Sequence, residues 1–144
     1  MTTTLKDLLR DKRLFFVKSG MNIFDVVKFM DLYNIGAVHV LGEKNVLKGI
    51  FSERDLLRRC AAKELDIHSA IIDEVMTKEV IVVESSDTIE YCIKIMKQES
   101  IRHIPIIEGK NLIGILSMRD LLLHDIQLKD EKIETLNAYI QYSG

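Results

Sequence analysis

The chain has little of what would assign it to several common function classes. It carries two cysteines in 144 residues, Cys60 and Cys92, with no C-x-x-C spacing between them. A disulfide framework is excluded, and two small apolar thiols in a reducing cytoplasm are expected. Charge of one sign is also missing. Twenty basic residues face twenty-two acidic ones, for a net charge of −2. No basic field exists for sequence-independent binding to nucleic acid, and nucleic acid is not an expected partner. No apolar run reaches the roughly 18 residues of a membrane span, and residues 1–10 lack the apolar stretch of a secretory signal, so no membrane association is expected. The four histidines, His39, His68, His103 and His124, fall in no metal-ligand spacing, and no metal site is expected. Neither G-x-x-x-x-G-K nor a strand-borne G-x-G-x-x-G occurs, and no nucleophile-base set falls on plausible loops. An enzyme is therefore not expected. What remains, 47% apolar residues and one proline, describes a small folded domain and excludes disorder.

What the chain does have is an internal repeat. Gly49-Ile50-Phe51-Ser52-Glu53-Arg54-Asp55-Leu56-Leu57 returns as Gly114-Ile115-Leu116-Ser117-Met118-Arg119-Asp120-Leu121-Leu122, with seven of the nine positions identical. Upstream, Ile23, Val27, Lys28 and Met30 match Ile89, Ile93, Lys94 and Met96. The spacing there is one residue longer, which places one extra residue in the loop near Glu43–Asn45.

Each copy predicts the same elements. A β-rich run (Leu14–Val17, Val80–Val83) precedes a helix opened by a capping pair, Asn22 with Asp25 and Asp87 with Glu90. Two strands follow, Ala37–Leu41 with Val46–Phe51 and Ile104–Ile107 with Leu112–Leu116, and a second helix starts at Ser52 or Ser117. The fold class is α/β in the α+β sense: two β-α-β-β-α units related by a pseudo-twofold axis, plus a C-terminal helix. The expected division is 1–68 for the first unit with its N-terminal segment, 69–126 for the second with a linker helix at Ser69–Met76, and 127–144 for a helical tail.

These residues carry a resemblance. Paired units, each with G-h-h-S-x-R-D after its last strand, resemble a tandem CBS-domain pair, or Bateman module. Val75-Met76-Thr77 is similar to the usual opening of a CBS unit, and Ser100–Ile107, with Pro105, to its proline-bearing strand. The resemblance implies a cleft for an adenosine-containing ligand such as AMP, ADP or ATP, with S-adenosylmethionine or a dinucleotide less favoured, and no required cofactor. It implies that Asp55 and Asp120 accept from the ribose hydroxyls, and that Ser52 and Ser117 hold ribose or phosphate. Arg54 and Arg119 would meet phosphate, and Thr77 and Pro105 would line the ligand. Ser-x-x-Asp before an apolar run is equally a helix cap, and the two roles can coexist.

The copies are not equivalent. Arg102 and His103 precede Pro105 in the second, where the resemblance implies phosphate contacts. The first has Gly36, Ala37 and His39 in those places. The expected function is a non-enzymatic sensor that reports adenosine ligands to a regulated partner protein. The alternative is an interaction protein that dimerises through its helices and tail without ligand. A homodimer is expected in either case, from outward Phe24, Phe29, Tyr33, Tyr91 and Ile95 and from the tail stripe Ile126, Ile133, Leu136, Tyr139 and Ile140.

Overall fold

The structure of the chain is a computed structural model that describes residues 3–10 and 12–124. The expected tail, 127–144, and its apolar stripe lie outside the described residues. The elements run α1 (Leu5–Leu8), β1 (Phe16–Lys18), α2 (Ile23–Tyr33), β2 (Ala37–Leu41), β3 (Leu47–Ser52) and α3 (Glu53–Asp55, continuing as a π-helix over Leu56–Ala61). The second copy supplies β4 (Val83–Glu84), α4 (Ile89–Gln98), β5 (His103–Glu108), β6 (Asn111–Ser117) and α5 (118–124). Each unit forms a three-stranded sheet with one parallel and one antiparallel pairing, β1-β2-β3 and β4-β5-β6. The register breaks once in each antiparallel pair, after Val40 and after Ile106, so even the irregularity is duplicated. The first hairpin is the longer, closed by a 3₁₀ turn at Glu43–Asn45. The expected α+β pair of β-α-β-β-α units is the observed fold.

Local chemistry explains the helix starts. The Asn22 side chain accepts from the Asp25 N–H at 2.8 Å, as its spacing predicts. The second copy differs: α4 is capped by Thr88, whose hydroxyl accepts from Tyr91 N–H at 3.0 Å. Asp87 instead accepts from Glu84 N–H at 2.9 Å and closes the turn after β4. The expected helix at Ser69–Met76 is a single 3₁₀ turn, Ile72–Glu74. Beyond that turn its neighbouring backbone also bonds outward. Ile72 N–H donates to the Met21 carbonyl, and Thr77 and Ile50 exchange both bonds across an isolated bridge.

Those outward bonds go with an exchange of segments between the repeats. Ala70, Ile72, Val75 and Met76 lie in the core of the first unit, beside Val26, Val38 and Phe51. Leu5, with Leu8 and Leu9 against it, belongs to the core of the second, beside Cys92, Ile104 and Leu116. The hydrophobic cores thus draw residues from both sides of the expected 68/69 division. The glycine of each repeated motif has its reason here. A Cβ on Gly49 would stand 2.7 Å from the Thr77 carbonyl oxygen, and one on Gly114 would stand 2.5 Å from Leu9 Cδ2. The exchanged segments cross the last strand of each sheet where no side chain fits.

The outward aromatic set is smaller than the sequence suggests. Phe29 and Ile95 pack on the two cores, and Phe24 stacks on His68 with centroids 4.3 Å apart. Tyr33 and Tyr91 are exposed, joined by Leu32, Leu57, Leu122 and Leu123.

Candidate functional site

Both Ser-x-x-Asp motifs are closed capping boxes. Ser52 Oγ accepts from Asp55 N–H at 3.2 Å, and Asp55 Oδ2 accepts from Ser52 N–H at 3.0 Å. Ser117 Oγ accepts from Asp120 N–H at 3.1 Å, and Asp120 Oδ2 accepts from Ser117 N–H at 2.9 Å. Each box follows from its sequence, a strand ending in serine with aspartate three residues on. In each box one carboxylate oxygen, Oδ1, is left for something else.

What takes that oxygen differs between the halves. In the first, Arg59, one helical turn along, brings its Nε to 3.6 Å from Asp55 Oδ1. The same guanidinium donates to the carbonyls of Val75 (3.1 Å) and Met76 (3.3 Å), so Asp55 is tied to the returning linker. In the second half the partner comes from the far end of the chain: Lys12 Nζ donates to Asp120 Oδ1 at 2.6 Å. Burial pushes the Asp120 pKa up, but the Lys12 bond and the Ser117 N–H and hydroxyl outweigh it and hold the carboxyl below its ordinary value. Asp120 is ionised and accepting at neutral pH.

A cavity of about 570 Å³ opens beside Asp120, large enough for a nucleotide. Its lining includes Lys12, Arg13, His103, Ser117 and Asp120, together with apolar Phe15, Ile50 and Ile115. Strand register explains the grouping. His103 pairs with Ser117 and His39 with Ile50, so each pair shares a face, and both pairs line the cavity. Of the residues singled out from sequence, the cavity brings together His103, Ser117 and Asp120. Ser52, Arg54, Asp55, Thr77, Arg102, Pro105 and Arg119 do not line it. Arg54, Arg102 and Arg119 are exposed, Pro105 is buried in its sheet, and Thr77 is held in its bridge to Ile50.

Lys12, Arg13 and His39 were not singled out from sequence as ligand residues. Lys12-Arg13 is a basic pair directly before the first β-rich run, and that position was its only signal. His39 is buried, 3% exposed, and neither ring nitrogen has a hydrogen-bond partner among the described residues. Burial first, and the neighbouring His103 second, push its pKa down to about 4, so it is neutral at physiological pH. The cysteines lie in separate cores, and burial pushes both thiols up, Cys92 to about 11. Among the described residues no cluster of three or more His, Cys, Asp or Glu is placed to hold a metal ion, and no helix is long and apolar enough to cross a membrane.

Comparison with known proteins agrees with this fold. The family model for the CBS domain matches residues 4–62 and again 72–126. The CBS domain-containing protein CBSX3, mitochondrial, of Arabidopsis thaliana is 31% identical over 150 residues, covering 97% of this chain and 73% of the relative. The CBS-domain containing protein ATU1752 of Agrobacterium tumefaciens superposes with a TM-score of 0.70 at 30% identity, covering 85% of this chain and 99% of that one. CBSX2, solved in complex with AMP, shares the fold at 21% identity with a TM-score of 0.71, over 89% of this chain and 99% of its own.

Proposed function

Because the chain belongs to the CBS-domain family, as a tandem pair of CBS units, we propose that it is a non-enzymatic regulatory module that binds an adenosine-containing ligand in the cleft beside Asp120. AMP, ADP and ATP fit before S-adenosylmethionine or a dinucleotide, because Lys12 and Arg13 bring two cations to the lining of that cleft, with the His103 ring beside them. The observation that carries the reading is the Ser117–Asp120 box. Its ionised carboxylate lines a nucleotide-sized cavity and is met there by one exposed lysine, Lys12, whereas the equivalent carboxylate in the first half meets an arginine that is itself anchored to the linker carbonyls. An ionised carboxylate has about four acceptor positions and suits a vicinal diol. The AMP complex of CBSX2 supports the same ligand class.

Regulation follows from the origin of Lys12. A ribose at Asp120 competes with Lys12 for the carboxylate, and Lys12 lies shortly after Leu5–Leu9, which pack in the second core. Ligand then changes how firmly the N-terminal segment is held, and a partner protein reading that surface senses occupancy through differential affinity. Buried, free thiols are in keeping with a reducing cytoplasmic setting. A homodimer is supported by apolar side chains left exposed on the helices. Leu57 and its repeat equivalent Leu122 are 64% and 40% exposed, and Leu32 is 74% exposed. Light scattering giving the mass of one 16.6 kDa chain would exclude the dimer. The ligand reading is tested by thermal shift with AMP, ATP, S-adenosylmethionine and GMP. A true ligand at a hundred times its Kd adds about 2.7 kcal/mol to stability. A panel in which no adenosine compound shifts Tm would leave the interaction protein as the surviving reading.

A further inference from the structure

One group in the cleft is inconsistent with a purely structural role. His39 occupies the middle of β2, a position where a β-branched apolar residue would pack without penalty, and the repeat has Pro105 in the equivalent place. Its imidazole is buried against the cavity wall next to its cross-strand neighbour Ile50, and neither Nδ1 nor Nε2 has a partner among the described residues. A buried polar ring left in that state lowers stability, and such groups are retained where something else completes them.

We infer that His39 is the specificity-determining residue for the base of the nucleotide, offering one neutral ring nitrogen to the edge of the purine while Asp120 holds the ribose. The inference rests on the adenosine-ligand reading and adds to it the residue that reads the base. Three observations support it. Burial and the neighbouring His103 keep the ring uncharged, with its pKa at about 4, which suits an uncharged base edge rather than a phosphate. The charged and titratable groups lining the same cavity, Lys12, Arg13, His103 and Asp120, already supply the sugar and phosphate chemistry. Phe15, Ile50 and Ile115 supply apolar surface for the faces of a planar base.

The test titrates three probes into the full chain: adenosine, AMP and ribose 5-phosphate. The variants are His39→Leu, which removes both nitrogens at similar volume, and His39→Gln, which keeps a donor and an acceptor. In His39→Leu, adenosine and AMP should bind about tenfold to a hundredfold more weakly. Ribose 5-phosphate should bind as it does to the wild type, and the unliganded Tm should be equal to or above the wild-type value. His39→Gln should recover part of the lost affinity. Unchanged adenosine and AMP binding in His39→Leu would overturn the inference. So would an equal loss for ribose 5-phosphate, which would make His39 a residue that only shapes the cleft. Should the leucine variant fold poorly, His39→Met carries the same comparison. A wild-type chain that binds none of the three probes overturns the adenosine reading itself, and that outcome is visible before any variant is made.

Discussion

The two halves share a backbone plan down to the bulge and the capping box, yet they place different chemistry on it. In the first half the box carboxylate of Asp55 is paired with Arg59, which also holds the carbonyls of Val75 and Met76. In the second, the position matching Arg59 is His124, and Asp120 is reached instead by Lys12 across the sequence. The first half donates His39 to the cleft where the second has Pro105, and the second donates His103 where the first has Ala37. A duplicated motif therefore secures a duplicated helix start. In the proposed function, what reaches the free oxygen of each box decides which half serves the ligand.

The comparison is broken most forcefully by removing what each half borrows. Leu5 is fully buried in the second core. Leu5→Ala should cost about 2–5 kcal/mol in urea unfolding, and a cost below about 0.5 kcal/mol would mean that the N-terminal segment is not part of that core. Next is the pH dependence of stability. The unfolded chain protonates an imidazole near 6.5, while folded His39 resists protonation down to about 4. Its contribution is intact above pH 6.5, shrinks as pH falls, and is exhausted below 4, a span of about 3 kcal/mol. Asp73 and Asp120, held below their ordinary values, lose their contributions only at lower pH, so the windows separate. His39→Leu should flatten the unfolding free energy between pH 6.5 and 4; an unchanged slope would assign it to other groups.

The crossing glycines sharpen the contrast at a smaller scale. Gly49→Ala drives a methyl onto the Thr77 carbonyl, and Gly114→Ala drives one onto the flexible end of Leu9. The first should cost about 1–3 kcal/mol and the second less, because a side chain can move aside where a backbone cannot. Equal losses on chemical denaturation would remove the distinction. Smallest are the caps. Ser52→Ala and Ser117→Ala should each cost about 1 kcal/mol, equally in both halves, and only Ser117→Ala should also weaken AMP in calorimetry. A matching loss of AMP affinity in Ser52→Ala would make the halves equivalent as sites.

Much of this fold was legible because a repeat reports itself. The paired Gly-Ile-x-Ser-x-Arg-Asp segments mark a strand end and a helix start, and Asn22 with Asp25 marks a helix whose cap bond forms as spaced. Ser69–Met76 misled because apolar spacing alone does not say whether Ile72, Val75 and Met76 face a helix partner or plug another unit's core. Asp87 misled for a related reason: an aspartate can cap a helix or close the turn before it, and Thr88 stood ready beside it. In the candidate site, Ser117, Asp120 and His103 were legible from the motif and its asymmetry. Lys12 was not, because only the crossing of the N-terminal segment brings it to Asp120. His39 read as a substituted proline, since a sequence shows neither burial nor an unpaired nitrogen.

Calorimetric titration of AMP into Asp120→Ala and Asp55→Ala, side by side with the wild type, tests the central asymmetry most directly. Asp120→Ala should bind AMP at least about tenfold more weakly, the loss of a charge-assisted ribose contact, while Asp55→Ala should retain wild-type affinity. Loss of binding in Asp55→Ala with full affinity in Asp120→Ala would contradict the account.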